Sequence, residues 1–483
     1  MRKRDRSTTT FDAVVIGGGP AGSTAANLLA QAGRRVLVLE KERFPRHHIG
    51  ESLLPGLNYV YRRLGVAQAL REQGFFVKTG GSYVWGRDRR PWSVNFLNVR
   101  DDGFRFIPQP ERTAYHVDRA RFDRLLLEQC ARRGAVVVQP AAVVDLPTRG
   151  ERVLGAVFRT PDGEETRVRA DFYLDASGQS ALLQRRMGWQ VFDAQLRHMA
   201  VYTYFDGARP LPAPRDGHIF VTDVADGWFW FIPLGRGRVS VGFVTSVARA
   251  KEAGKDLEAF FLAQLRRARP LARPLAGARR CEPMRMLRDW SYRSRSFAGD
   301  NFLLLGDAAA FVDPLLSYGV TLAMHSAALA ADCVDVALQA PSRREKVLAH
   351  YREQQEARFD QLLDFVKYFY DGNRHRREYF WKARRIARHL ENRYAKYAFT
   401  YLVAGYPVWT PESRAYFDRF FTPLGLPVDR LRRDARFLHA AGKLGPVDLA
   451  LIDEGFAPPE GREDASFPWH RRPGPAREEP HVP

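Results

Sequence analysis

The chain is poor in the residues that mark secreted, metal-binding or membrane-spanning proteins. Of 483 residues only three are cysteine: Cys130, Cys281 and Cys333. They lie far apart and without metal-ligand spacing, so neither a disulfide framework nor a cysteine metal site is expected, and a reducing cytoplasm fits. Residues 1–10 are basic and run straight into a strand-like segment, with no apolar stretch of signal-peptide length. The longest apolar segment, residues 319–338, carries His325, Asp332 and Asp335, so a packed helix is expected there and no membrane span. Lysine is scarce as well, with ten lysines beside 65 arginines in a net charge of +20. The arginines form no long run and no aromatic-interleaved motif, which argues against nucleic acid. The charge reads mainly as a solvated surface, with an acidic carrier protein as the other partner it would suit.

What is present is a large apolar inventory, 45% hydrophobic and 12% aromatic, enough for two or three domains in a chain of 483 residues. Its first motif is immediate. Phe11-Asp-Ala-Val-Val-Ile leads into Gly17-Gly-Gly19-Pro20-Ala21-Gly22, an apolar helical stretch follows from Ser23, and a second strand, Val36-Leu-Val-Leu, ends in Glu40. Glycines at these spacings permit a tight turn and close backbone approach to a pyrophosphate. The helix N-terminus supplies free N–H groups, and an acid at the end of the second strand can accept from ribose hydroxyls. A lone G-x-G-x-x-G is weak evidence; strand, turn, helix, strand and acid together specify a dinucleotide site.

Further along, Asn301-Phe-Leu-Leu-Leu-Gly306-Asp307 and Asp175-Ala-Ser-Gly178 resemble the second and intermediate fingerprints of FAD-dependent hydroxylase-like flavoproteins. That resemblance implies FAD, with Asp307 on its ribityl chain. No second complete dinucleotide unit is visible for NAD(P)H, so the flavin is expected to be reduced by a separate flavin reductase and used as FADH2.

Four segments then resemble the flavin-dependent halogenases. Trp228-Phe-Trp230-Phe-Ile232-Pro233 matches that family's W-x-W-x-I-P, and Phe311-Val-Asp-Pro314-Leu-Leu-Ser317-Tyr-Gly319 its F-x-x-P-x-x-S-x-G. Phe75-Phe-Val-Lys78-Thr-Gly-Gly resembles the segment holding the catalytic lysine of members acting on phenols and pyrroles, and Pro45-Arg46-His-His-Ile49-Gly-Glu51-Ser52 a flavin-contacting segment. The resemblance spans about residues 11–338 and implies that reduced FAD, O2 and chloride or bromide make hypohalous acid, which halogenates an electron-rich arene. In hydroxylases the organic substrate reaches the flavin. A halogenase must exclude it, and the wall Trp228, Trp230, Ile232 and Pro233 would do so while a small oxidant passes to Lys78. Strand alternation predicts that both indoles share a face, with Phe229 and Phe231 opposite. Halide binding is expected from the loop Pro314, Ser317, Gly319 and Val320 where it enters a helix. Arg121 resembles an FAD-contacting arginine of the fold. The substrate implied is a phenolic or pyrrolic small molecule of natural-product biosynthesis, free or bound to an acyl or peptidyl carrier protein. An FAD-dependent aromatic monooxygenase or a geranylgeranyl-reductase-like flavoprotein is the alternative. No residue is singled out as the general base, and no metal site is expected.

The fold expected is α/β: a discontinuous Rossmann-type FAD-binding domain at residues 11–76, 113–185 and 302–338. A β-sheet substrate domain takes residues 77–112 and 186–301, and a helical region residues 339–457. A basic arm at residues 1–10 and a Pro- and charge-rich tail at residues 458–483 are expected to be disordered.

Overall fold

The computed structural model describes residues 10–87, 90–97, 112–252, 254, 256–288, 291–371, 375–386, 399–400 and 402–405. The expectations for the tail, for most of the arm and for the helical region beyond residue 405 lie outside the described residues.

The first apolar run forms β1 (Thr10–Ile16), which turns through three glycines into α1 (Pro20–Gln31) and returns as β2 (Val36–Leu39). β2 is buried along its whole length, as expected of a strand covered on both faces of a parallel sheet. Next come β3 (Phe76–Lys78), β4 (Gly80–Val84), β5 (Trp92–Asn95) and β6 (Ala114–His116), then α2 (Arg119–Arg132). Asp118 caps α2, its side chain accepting from the backbone N–H groups of Ala120 and Arg121. Strands β7 (Val136–Val138), β8 (Ala142–Asp145), β9 (Ala156–Arg159) and β10 (Glu165–Asp175) complete most of the first sheet. Its order is β7-β2-β1-β10-β9-β8. β10 is long enough to run parallel to β1 with one part and antiparallel to β9 with the other.

The second sheet is built from β11 (His198–Asp206), β12 (His218–Val224), β13 (Gly227–Gly235) and β14 (Arg238–Ser246). They join β4 and β5 in the order β11-β14-β13-β12-β4-β5. The helix α3 (Leu257–Arg267) packs on one face, its Phe261 edge-on to Phe229. Phe229, Phe231 and Phe243 belong to that smaller core, whereas Trp228, Trp230 and Ile232 belong to the main core shared with the first sheet. The alternation expected along β13 is therefore the observed one: one strand serves two hydrophobic cores with its two faces.

The chain returns to the first sheet as β15 (Phe302–Leu304), parallel to β10, and then enters α4 (Gly319–Gln339). α4 is long and apolar enough to cross a bilayer, but 72% of its apolar window is buried in the protein, where it packs on α1. The last long helix, α5 (Arg344–Tyr370), touches both sheets: the Tyr351 hydroxyl donates to the Leu304 carbonyl at 2.6 Å, and Trp85 Nε1 donates to the Phe369 carbonyl at 2.9 Å. A shorter α6 (Arg376–Ile386) follows.

Candidate active site

A cavity of about 520 Å³ opens where the carboxyl ends of β1 and β2 face the main-core side of the second sheet. That is the position at which open α/β sheets bind ligands. Of the residues proposed from sequence, Gly17, Gly19, Pro20, Ala21, Glu40, Arg46, Ile49, Glu51, Ser52, Asp307, Pro314, Ser317, Gly319, Val320, Trp230 and Ile232 all line it.

The glycine turn is forced by contact. A Cβ on Gly22 would stand 1.8 Å from the Gly17 carbonyl oxygen, and one on Gly17, held at φ +102°, would stand 2.4 Å from the Ala176 carbonyl oxygen. Gly22 thus works from beneath the turn and not from the cavity wall. Glu40 is buried and accepts from the Gly18 backbone N–H at 2.6 Å and from that of Glu42 at 2.8 Å. Ser52 Oγ is buried at the wall with no partner among the described residues. Asp307, in a single 3₁₀ turn, has its carboxyl raised to about 7 by burial, with Arg119 opposing the rise. An uncapped helix N-terminus, an acid at the end of the second strand, an orphaned hydroxyl and the Asp307 carboxyl on the cavity wall are the groups FAD would engage, so the residues fit the cofactor. Gly17 to Pro20 and Glu40 would take its pyrophosphate and adenosine ribose. Asp307 and the 314–320 loop would lie toward the flavin ring.

Four placements differ from the sequence reading. Arg121 points away from the cavity, bonding the Gln73 backbone carbonyl at 2.7 Å and lying over the Phe75 ring. Arg119 lines the cavity instead, bidentate with buried Asp123 at 2.8 and 2.9 Å, because the first turn of α2 presents residues 119 and 123 to the interior. Trp228 shares a face with Trp230 but sits beyond the cavity. Its Nε1 donates to the Tyr370 hydroxyl at 2.7 Å, and that hydroxyl donates in turn to the Asp313 carboxylate, 3.0 Å from its nearer oxygen. Pro233 falls on the phenylalanine face by strand alternation and is absent from the cavity wall. In the loop, the Ser317 N–H is spent on the Pro314 carbonyl at 3.0 Å, and Ser317 itself is left-handed at φ +59°. Gly319 and Val320 line the cavity, and their N–H groups lie in the first turn of α4, where a helix has no backbone acceptor for them.

Lys78 lies outside the cavity wall. It is 2% exposed at the end of β3, its ammonium 5.9 Å from the centre of the Phe96 ring. No carboxylate among the described residues pairs with it, and burial pulls its amine down to about 7 from an ordinary 10.5. Two further buried bases stand beside it, His116 and His218, both held well below the ordinary histidine range by burial first, then by the lysine's charge at His116 and by the charges of Arg215 and Lys78 at His218.

Sequence reasoning missed several of these residues. Gly242 is the seat of Trp230: a Cβ there would meet the indole at 2.1 Å, so the indole lies against the bare backbone of the next strand. A glycine inside an otherwise apolar strand was the available signal. Tyr204, which the sequence did not single out, donates its hydroxyl to the predicted Glu51 at 2.6 Å, a contact that exists only through the fold.

The tryptophan halogenase family model matches residues 12–108 and 104–421. The chain is 35% identical over 380 residues to a tryptophan 2-halogenase of Chondromyces crocatus, covering 77% of this chain and 70% of that one. It is 32% identical over 382 residues to the 1H-pyrrole-2-carbonyl-[peptidyl-carrier protein] chlorinase of Pseudomonas fluorescens, covering 75% and 84%. Among solved structures, the myxobacterial chondrochloren halogenase CndH, an FAD-dependent halogenase, superposes with a TM-score of 0.72 at 36% identity, over 89% of this chain and 97% of that one.

Proposed function

The chain belongs to the tryptophan halogenase family of FAD-dependent halogenases, and on that premise we propose that it halogenates an electron-rich phenolic or pyrrolic ring with Lys78 as the residue that presents hypohalous acid to it. FAD, when bound and reduced by a separate flavin reductase, would react with O2, and O2 would supply the oxidising equivalent that converts chloride or bromide to hypohalous acid. The chain's own part is to hold halide, exclude the ring, and direct the oxidant. The Gly319 and Val320 N–H groups suit a halide, since a helix N-terminus favours an anion without a covalent partner. Trp230 and Ile232 present a water-poor wall that keeps an arene out of the cavity.

The observation that carries the reading is the Lys78 amine, fully buried, without a carboxylate partner among the described residues, and set apart from the cavity. Among the described residues no ion pair accounts for a lysine so placed. Its N–H can hydrogen-bond the hypohalous oxygen and polarise the halogen toward the ring. Two relatives act on a pyrrole carried by a peptidyl-carrier protein, and the chain's net charge of +20 complements an acidic carrier.

The test is mass spectrometry of a reaction containing FAD, a flavin reductase, O2, chloride or bromide, and candidate phenols and pyrroles. A halogen isotope pattern is expected with wild type. Lys78→Ala should keep FAD binding and lose the halogenated product, and a variant that chlorinates at the wild-type rate removes Lys78 from the mechanism. Comparing a carrier-loaded acid with the free acid decides the carrier, since equal turnover of both eliminates it.

A further inference from the structure

We infer that His116 is the base that takes the ring proton when a carbon–halogen bond forms beside Lys78. The inference rests on the reading of Lys78 just given. It begins with register: in the β3–β6 ribbon Phe76 pairs with His116 and Lys78 with Ala114. Lys78 and His116 therefore project from the same face, as diagonal cross-strand neighbours. Both side chains are buried, at 2% and 1% exposure, and the His116 ring stacks on Phe76.

The tautomer follows from the partner. His116 Nε2 lies 3.2 Å from the Gly217 carbonyl oxygen, which can only accept, so Nε2 carries the hydrogen. Nδ1 is then a bare lone pair, and it is buried with no hydrogen-bond partner among the described residues. A buried, fixed and unused lone pair costs stability unless it has a task. The His116 backbone also bridges that of Ser52, which lines the flavin cavity.

His218 is the competing candidate and is less suited. Its Nδ1 is engaged at 2.9 Å by Ser82 Oγ, which can donate or accept, so its tautomer is not fixed. Its Nε2 is buried with no partner among the described residues, as His116 Nδ1 is, so the fixed tautomer of His116 is what separates the two.

The proton balance closes without a further reagent. Ring–H and hypohalous acid give ring–halogen and water. The oxygen–halogen bond breaks as the carbon–halogen bond forms, and the departing hydroxide takes a proton from the Lys78 ammonium. The ring carbon gives its proton to His116 Nδ1, and the imidazolium returns it to the Lys78 amine, so both residues are reset.

The experiment uses full-length protein loaded with FAD, with phenol and pyrrole-2-carboxamide as probes, each with and without ring deuterium. His116→Gln retains an N–H for the Gly217 carbonyl but offers no basic lone pair. Expected are unchanged FAD binding and unchanged release of hypohalous acid, a fall in ring halogenation of about 10²-fold, and a primary deuterium isotope effect that wild type and His218→Gln lack. A His116→Gln protein without that isotope effect, or the effect appearing in His218→Gln instead, overturns the assignment. Independently of any variant, ¹⁵N NMR of the wild type should show His116 with Nε2 protonated and Nδ1 bare, and the opposite tautomer refutes it. Wild type that halogenates neither probe overturns the substrate reading, while the NMR result still decides on His116.

Discussion

Lys78 sets a cost against stability that can be measured. Its amine titrates near 7 in the folded chain and near 10.5 when free, with burial as the cause. Between those values the unfolded chain keeps a proton that the folded one has released, so stability rises with pH across that window; below about pH 7 the penalty is complete. Lys78→Met, which keeps the volume and removes the charge, should raise stability by on the order of a few kcal/mol at pH 6, with the gain fading toward pH 10. Urea denaturation at the two pH values reads it, and a gain independent of pH would show that the amine is not buried as described. Other residues act through absence. Gly22 is needed because its missing Cβ would overlap the Gly17 carbonyl.

At the scale of elements, β13 and α5 carry the arrangement. β13 separates two cores, and its tryptophan face reaches the cavity at Trp230 and the α5 terminus at Trp228. Tyr370, the last residue of α5, joins Trp228 to Asp313, whose carboxylate also accepts from the Leu315 backbone N–H at 2.9 Å within the loop that leads into α4. His198 stacks on Tyr370 with ring centroids 4.7 Å apart and closes the cluster. Removing one hydroxyl leaves a buried indole N–H and a carboxylate short of a partner. Tyr370→Phe should therefore cost about 1–3 kcal/mol in thermal or chemical denaturation. It should also raise the halide concentration needed for half-maximal rate, because the loop loses its anchor; an unchanged halide dependence would separate α5 from the loop. The sequence marked this region as helical. Which aromatic reached the loop was invisible, since residues 313 and 370 meet only by folding.

At the scale of the whole molecule, the cavity draws its walls from both sheets, with Ile16 and Leu39 on one side and Ile219, Trp230 and Leu287 on the other. A ligand there ties the two layers together, so FAD at 100 times its Kd should add about 2.7 kcal/mol to stability. A rise in melting temperature on FAD addition checks this, and Gly22→Ala should abolish the rise while leaving a folded apoprotein. The sequence alone determined the dinucleotide turn, the acid at Glu40, the Gly306-Asp307 strand end and the alternation along β13, because each is local: steric limits at a turn and a two-residue period need no distant partner. It also marked Lys78, through a motif of adjacent residues. Tertiary structure decided what depends on contact between distant segments. It chose Arg119 over Arg121 by the face that α2 turns inward, set Trp230 at the cavity and Trp228 behind it, and withdrew the Ser317 N–H into its own loop. It also brought His116 onto the face that holds Lys78. Burial, register and hydrogen-bond partners are properties of packed surfaces, and those surfaces exist only once the chain has closed on itself.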